Sequence, residues 1–181
     1  ENNNAEKINN IPAEITRLPQ PLFEAIKYFE SLVQVSDVIV AHNAEFDKKW
    51  FGLKKLPQIK KKWICSMDDI TWPSDRQLKP RPSVRDLALA YGVPVWNAHR
   101  ALTDCIYLAE VFKRCGELEK LLIRSLEPKV LIRADISYDK RHLAKKAGFR
   151  WNDAIKGAWS RKISRRDMEK LEFPVHEVDF S

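Results

Sequence analysis

Three residues of this sequence could together act on a phosphate ester. His99 and Asp104 lie in the stretch NAHRALTD at residues 97–104, and Asp47 ends the stretch AHNAEFD at residues 41–47. Imidazole titrates near pH 6.5 and can take a proton from water, while carboxylates hold hard divalent cations. Two such cations about 3.5 to 4 Å apart would stabilise the entering and the leaving oxygen of a phosphodiester. The three residues are therefore candidates for a site of metal-assisted attack by water.

The spacing of His99 and Asp104 restricts how these two residues could cooperate. Five positions along an ideal helix turn through about 500°, so two interior helical residues at this spacing would point about 140° apart. We therefore expect His99 to lie at or before the first turn of the helix that carries Asp104, with Asn97 as a candidate N-cap. Asp47 would come near Asp104 if both helices start at one edge of the same sheet.

The stretch AHNAEFD also has a purely structural interpretation. A polar turn can cap a helix, and a carboxylate in the first helical turn, such as Asp47, is favoured by the helix dipole. Taken alone, the stretch favours this structural interpretation. Only its combination with His99 and Asp104 shifts the balance towards chemistry.

Alternating helices and strands are expected to position these residues. Apolar spacing predicts helices over residues 22–33, 44–56, 83–92 and 98–114, and short apolar runs predict strands at 37–41 and 63–67. The predicted buried stripe of the last helix consists of Ala101, Leu102, Cys105, Leu108, Ala109 and Phe112. The alternation of helix and strand predicts an α/β fold.

The pattern changes near residue 127. Two predicted strands, KVLIRADISY and AWSRKIS, flank a predicted helix in DKRHLAKKAGFRW that Gly148 ends. The sequence therefore predicts a domain of residues 1–127 followed by a small basic α+β module of residues 128–181. Such a module is too small to bury much surface without help from its neighbour or its tryptophans.

Positive charge is concentrated in the C-terminal part of the chain. The formal net charge is +7 and the pI is about 9.3, and residues 140–166 hold ten lysines and arginines against one acid, Asp153. This distribution predicts a polyanionic partner. A second lysine cluster at residues 54–62 is as consistent with a solvated helix end as with phosphate contact.

Composition argues against several other classes of protein. Hydrophobic residues make up 44% and charged residues 31%, and no apolar run approaches the roughly 18 residues of a membrane span. We therefore expect a soluble, cytoplasmic protein without a membrane partner. The three cysteines, Cys65, Cys105 and Cys115, lack CxxC spacing and paired histidines, which argues against a disulfide framework or a zinc site.

Three stretches, in order along the chain, resemble the DEDDh branch of the 3'-5' exonucleases. KINNIPAE at residues 7–14 resembles the turn that lines the terminal-nucleotide pocket, AHNAEFD the second acidic motif, and AHRALTD at residues 98–104 the third. This superfamily includes the proofreading subunit of bacterial replicative polymerases and ribonuclease T. The resemblance implies a ribonuclease H-like three-layer α/β fold and the removal of nucleotides from the 3' end of DNA or RNA.

The resemblance also implies roles for individual residues. His99 would be the general base, and Asp104 and Asp47 would bind two Mg²⁺ or Mn²⁺ ions. The residues implied near the last nucleotide are His42, Asn43, Phe46 and Asn9, although Phe46 is equally consistent with a place in the core. The implied partners are single-stranded or 3'-terminal DNA or RNA, and a DNA polymerase or repair complex.

The first motif of that family, a strand carrying Asp-x-Glu, is absent from these 181 residues. It should precede KINNIPAE and would supply two of the four metal-binding carboxylates together with the first strands of the sheet. We therefore expect the chain to be an N-terminally shortened piece of a longer protein, with little or no nuclease activity by itself. The alternative is a non-catalytic nucleic-acid-binding or polymerase-associated module on the same fold.

The C-terminal module resembles a small domain of unsettled role that is appended to nucleic-acid enzymes, through LAKKAGFRWNDAIKGAW at residues 143–159. Its candidate contacts to a nucleic-acid backbone are Lys145, Lys146, Arg150, Arg161 and Lys162. Trp151 and Trp159 could stack a base or form the small core of the module, and we favour the core.

Overall fold

The computed structural model describes residues 6–96 and 99–179. The chain forms two compact units, of which the first comprises Glu1–Ser66 with Ser83–Leu118 and the second comprises Met67–Pro82 with Glu119–Ser181. This division differs from the sequence boundary at residue 127, because residues 67–82 and 119–127 belong to the second unit.

The first unit contains a parallel pair of strands with helices before, between and after them. Its elements are α1 (Glu6–Asn9), α2 (Ala13–Arg17), α3 (Leu22–Val35), β1 (Val38–Ala41), α4 (Ala44–Lys48), β2 (Lys62–Cys65), α5 (Val84–Ala90) and α6 (Ala101–Arg114). Strands β1 and β2 pair in parallel, with Val40 opposite Ile64 and Ala41 opposite Cys65. Both strands therefore end at the same edge, where His42 and Ser66 follow them.

Helix α4 is much shorter than predicted, which corrects the helix expected over residues 44–56. It ends at Lys48, and the backbone then takes left-handed φ angles of 83° at Gly52 and 52° at Lys54. A right-handed helix cannot continue through such residues. The N–H of Gly52 instead donates to the carbonyls of Leu56 and Pro57, at 3.2 and 3.1 Å, which closes a compact loop.

The buried face of α6 also differs from the predicted stripe. Tyr107, Leu108 and Val111 are buried, whereas Leu102 is 74% exposed and Cys105 is exposed. Of the six predicted residues only Leu108 is buried. The physical reason is that α6 packs against α5, and this neighbour covers one of two apolar faces on the helix.

The second unit is an antiparallel sheet with helices. After α7 (Leu118–Ser125), its elements are β3 (Lys129–Ala134), α8 (Arg141–Lys146), β4 (Arg150–Trp151), β5 (Trp159–Ser164), α9 (Arg165–Met168) and β6 (Val175–Glu177), with short 3-10 helices at Ser74–Arg76 and Tyr138–Lys140. The strand order is β4-β5-β3-β6. Strands β3 and β5 and helix α8 match the sequence prediction, while β6 and α9 were not predicted.

The core of the second unit lies between the sheet and α8. Ile132, Ala134, Ala144, Phe149 and Ile163 form its buried cluster. Trp159 packs against this cluster, but Trp151 is 56% exposed. The prediction that both tryptophans belong to the core is therefore wrong for Trp151.

The segment of residues 67–82 joins the rest of the second unit through an ion pair, a hydrogen bond and packing. Asp69 pairs with Lys129 of β3, and Oγ1 of Thr71 donates to Oδ2 of Asp167 at 3.5 Å. Ile70 in the same segment is buried. The second unit is therefore built from two separate parts of the chain.

The two units together give a mixed α/β protein, as the alternation of elements predicted. Within residues 6–96 and 99–179, every helix is too short or too polar to cross a bilayer.

Candidate functional site

The second acidic stretch forms a sharp strand-to-helix turn. After β1 ends at Ala41, Asn43 adopts a left-handed backbone with φ 67° and ψ 50°, a conformation that asparagine tolerates better than most residues. The N–H of Phe46 donates to the carbonyl of Asn43 at 2.8 Å, and Ala44 is 2% exposed. This turn starts α4 directly at the strand edge and puts Asp47 in its first turn.

The imidazole of His42 is held at the end of the two strands. Its Nδ1 lies 3.0 Å from Oγ of Ser66, which is fully buried. The backbone N–H of Ser66 in turn donates to the carbonyl of Ala41 at 2.9 Å, which extends the parallel ladder by one residue. His42 is thus oriented by a rigid neighbour at the same edge from which α4 begins.

The third stretch places His99 before the helix, as its spacing from Asp104 predicted. Helix α6 begins at Ala101, with Arg100 as its N-cap, and Asp104 lies in the first turn with its N–H donating to the carbonyl of Arg100 at 2.8 Å. His99 is exposed and has a left-handed φ of 68°. The N-cap is thus Arg100 rather than the predicted Asn97, which lies outside the described residues.

The thiol of Cys105 reports that Asp47 and Asp104 lie in one neighbourhood. Burial is the largest cause of the raised pKa of Cys105, and the negative charges of Asp104 and Asp47 raise this pKa further. Two aspartates that are 57 positions apart in the sequence therefore act on the same atom.

Partial burial affects the carboxyl group of Asp47. Partial burial raises the pKa of Asp47 above its usual range, because the charged form loses hydration. A carboxylate that has lost part of its hydration gains more from a nearby cation than a fully solvated one does. Asp47 is therefore suited to hold a positive charge.

Arg100 joins the first resembling stretch to the third, a link that the sequence did not predict. Its guanidinium donates from Nε to the carbonyl of Asn9 at 3.2 Å and from Nη2 to the carbonyl of Asn10 at 2.9 Å. Oδ1 of Asn9 accepts from the N–H of Ile11 at 2.9 Å, so this side chain stabilises its own turn. The only feature of the sequence that pointed to Arg100 was its position next to His99. A contact between residues 90 positions apart, such as Arg100 and Asn10, leaves no local pattern in the sequence.

Phe46 lies on the surface of the first unit. It is 52% exposed, which excludes the core as its place, and its ring meets Trp50 edge-on with centroids 6.3 Å apart. Nζ of Lys49 lies 4.2 Å from the centroid of the Phe46 ring. An exposed aromatic ring beside a cation is a surface on which a nucleobase can stack.

The residues described do not by themselves complete a metal site. Across residues 6–96 and 99–179, no group of three or more His, Cys, Asp or Glu side chains could hold a metal ion. Asp47 and Asp104 provide two carboxylates, fewer than the ligands that Mg²⁺ or Mn²⁺ takes from protein in a two-cation site. These residues fit part of such a site only.

The lysines of residues 54–62 include one with a structural role. Nζ of Lys61 donates to the carbonyls of Gln34 and Ser36, at 3.2 and 2.7 Å. A cation at this position stabilises the C-terminal end of α3, where carbonyls lack helical partners.

The five basic residues predicted in the C-terminal module have different environments. Arg150 pairs with Asp153, and Arg161 donates from Nη1 to the carbonyl of Ala147 at 2.5 Å. Burial lowers the pKa of Arg161, consistent with a guanidinium that packs inside the second unit. The exposed members of the set are Lys145, Lys146, Arg150 and Lys162.

Comparisons with known proteins give two kinds of match. Residues 130–178 match a domain of unknown function (DUF8626). The chain is also 28% identical over 138 residues to the 3'-5' exonuclease DinG of Staphylococcus aureus strains USA300 and NCTC 8325 / PS 47. That match covers 69% of this chain and 15% of each relative, so the chain corresponds to a small part of their length. No solved structure matches the chain.

Proposed function

We propose that this chain belongs to a 3'-5' exonuclease with a ribonuclease H-like fold, which hydrolyses phosphodiesters at the 3' end of DNA or RNA. The observation that carries the proposal is the shared geometry of two ordered stretches that resemble exonuclease motifs. In each stretch the acid, Asp47 or Asp104, lies in the first turn of a helix. Each helix follows a residue with a left-handed backbone, Asn43 in one stretch and His99 in the other. The similarity to a protein named as a 3'-5' exonuclease supports the same reaction class.

In this proposal the residues have distinct roles at one edge of the parallel strands. His99, which precedes α6, takes a proton from the attacking water. Asp47 and Asp104 would bind the divalent cations through their carboxylates. His42, Asn43 and Phe46 hold the terminal nucleotide, with Phe46 offering an exposed ring to the base. Asn9 contributes through the turn that Arg100 fixes.

Divalent cations, when bound, would supply charge stabilisation to the phosphate. Because the described residues offer two carboxylates and no cluster of three ligands, a complete site needs ligands beyond them. We therefore assign Asp47 and Asp104 as the ligands that the described residues would contribute to the site.

The absence of a three-ligand cluster among the described residues also favours a second candidate function. In that alternative the fold binds nucleic acid without hydrolysing it. Both functions predict binding of an oligonucleotide, but only the exonuclease function predicts that the oligonucleotide becomes shorter. A single assay of oligonucleotide length therefore separates them.

The test uses the full-length product of the gene that encodes this chain and a single-stranded oligonucleotide labelled at its 5' end. With Mg²⁺ or Mn²⁺ we expect stepwise shortening from the 3' end and release of mononucleotides. Replacing His99 with alanine or Asp104 with asparagine should reduce the rate by at least about 100-fold, because each removes a group that acts in the transition state. EDTA should abolish the reaction.

Asp37→Asn is the matched control, since it removes one exposed carboxylate outside the resembling stretches and should leave the rate unchanged. Unaltered shortening by His99→Ala would overturn the assignment of the site. Binding of the oligonucleotide without any shortening would favour the non-catalytic alternative.

A further inference from the structure

Trp151 is an exposed aromatic side chain held in place by a β-hairpin. It is 56% exposed, and its ring lies beside Trp159 with centroids 5.8 Å apart and an interplanar angle of 59°. Trp159 is itself packed against the core of the second unit. The exposed ring of Trp151 thus lies against a partly buried partner, which limits the freedom of the ring before any ligand binds.

The hairpin that carries Trp151 is closed by its own hydrogen bonds. The N–H of Asn152 donates to the carbonyl of Ala158 at 2.9 Å, and Oδ1 of Asn152 accepts from the N–H of Gly157 at 2.9 Å. The loop of this hairpin carries the exposed Lys156. These contacts fix the two ends of the loop that carries Lys156.

The structure separates the basic residues of this region into two groups. Most arginines already have partners within the second unit: Arg150 pairs with Asp153, Arg165 with Glu177 and Arg166 with Glu127, while Arg141 lies over the ring of Tyr138. Three exposed lysines lie within six positions of Trp151 in the sequence, namely Lys145, Lys146 and Lys156, and the described residues show no ion pair to them. Their positive charge remains available to a ligand.

We propose that Trp151, Lys145, Lys146 and Lys156 form a binding surface for single-stranded nucleic acid, separate from the exonuclease site. Single strands combine regularly spaced phosphates with exposed planar bases, so they match unpaired lysines beside an exposed tryptophan. An acidic peptide would satisfy the lysines without a planar group for Trp151. This surface needs no hydrolysis, so it stands whether or not the first unit is catalytic.

The test measures binding of the 181-residue chain to a fluorescein-labelled oligo(dT) by fluorescence anisotropy in EDTA, over a series of salt concentrations. Trp151→Ala should weaken binding by about tenfold, because it removes the stacking of about one base. Trp151→Phe should retain most of the affinity. An oligonucleotide of abasic sites should bind wild type and Trp151→Ala equally.

The lysines are tested by the salt dependence of the same equilibrium. The slope of log K against log salt is negative, and the double variant Lys145→Ala/Lys146→Ala should reduce its magnitude by about 1.4, since each phosphate contact to a single strand contributes about 0.7. Trp151→Ala should leave that slope unchanged. The charge-matched control Lys27→Ala/Lys113→Ala removes two lysines from helices of the first unit and should also leave it unchanged.

Three results would overturn the proposal. One is equal affinity of wild type and Trp151→Ala for oligo(dT). Another is that Lys27→Ala/Lys113→Ala reduces the salt dependence of binding as much as Lys145→Ala/Lys146→Ala does. The third is binding to phosphatidylglycerol vesicles or poly-glutamate that depends on Trp151 and exceeds binding to oligo(dT). Because hydrolysis is blocked by EDTA, none of these outcomes depends on the exonuclease proposal.

Discussion

At the scale of single residues, Cys105 is the most informative side chain of the candidate site. It has no role in the proposed chemistry, yet the pKa of its thiol depends on burial, on Asp104 and on Asp47. Asp104 is its neighbour in the sequence, so the influence of Asp47 is the part that only folding can create. The reactivity of this thiol can therefore test whether Asp47 of α4 lies close to α6.

This probe gives a direct prediction for cysteine reactivity. Replacing Asp47 with asparagine removes a negative charge that disfavours the thiolate, so the pKa of Cys105 should fall and the thiolate fraction at pH 8 should rise. We expect alkylation of Cys105 by iodoacetamide to become about two- to fivefold faster, and Asp104→Asn should act in the same direction. Mass spectrometry of the peptide that contains Cys105 gives the rate.

Asp37→Asn serves as the control and should not change that rate. If Asp104→Asn accelerates alkylation and Asp47→Asn does not, the two aspartates do not share a neighbourhood. That result would contradict one shared site for the two acids.

At the scale of elements, the site depends on where helices begin. Helix α4 begins directly after the turn at Asn43, and α6 begins directly after Arg100, so each puts an aspartate in its first turn. The N-terminal end of a helix favours carboxylates through its unpaired N–H groups and its dipole. Helix starts thus stabilise the same acids that the proposed chemistry uses.

Arg100 links two of these elements, which leads to a prediction for local stability. Arg100→Ala should remove both hydrogen bonds to the carbonyls of Asn9 and Asn10, so the turn after α1 should open more often. We expect amide hydrogen exchange in residues 6–17 to become at least about threefold faster, because hydrogen bonds from a charged donor each contribute about 1.5 to 3 kcal/mol. Hydrogen-exchange mass spectrometry measures this directly.

Arg85→Ala is the comparison variant, since it removes an exposed arginine from α5 and should leave exchange in residues 6–17 unchanged. Equal exchange in wild type and Arg100→Ala would mean that α1 is held by other contacts.

At the scale of the whole molecule, the second unit is assembled from two separate segments. Residues 67–82 reach it through the ion pair of Asp69 with Lys129 and through a close approach at Gly148. Gly148 has a φ of 80°, and a β-carbon at this position would lie 3.0 Å from Cβ of Pro80. Both the backbone and the neighbour therefore require glycine here.

Alanine at this glycine should destabilise the second unit. The left-handed backbone alone costs about 1 to 2 kcal/mol for an L-residue, and displacing Pro80 adds to that cost. We expect Gly148→Ala to lower the free energy of unfolding, measured by urea titration, by about 2 kcal/mol or more.

Gly157→Ala isolates the contribution of Pro80. Gly157 has a similar φ of 69°, but a β-carbon there would meet nothing within 4 Å. This variant should cost only about 1 kcal/mol, the backbone penalty alone. Equal losses for Gly148→Ala and Gly157→Ala would show that residues 67–82 do not constrain Gly148.

Much of the local structure could be predicted from the sequence. The strand before His42, the helix at Leu22–Val35, the position of His99 before a helix and the strands β3 and β5 all follow from apolar periodicity, turn residues and spacing. These features are set by contacts between near neighbours in the chain. The assignment of His99, Asp47 and Asp104 to one reaction came from motif order and stays a proposal.

Only the tertiary structure decided which apolar faces are buried and which side chains stay exposed. Helix α6 has apolar residues on two faces, and packing against α5 selected the face of Tyr107, Leu108 and Val111. The exposure of Trp151, the contacts of Arg100 and the joining of residues 67–82 to the second unit likewise depend on residues far apart in sequence. Periodicity identifies an apolar face, but burial requires a partner surface, and only the folded chain supplies that partner.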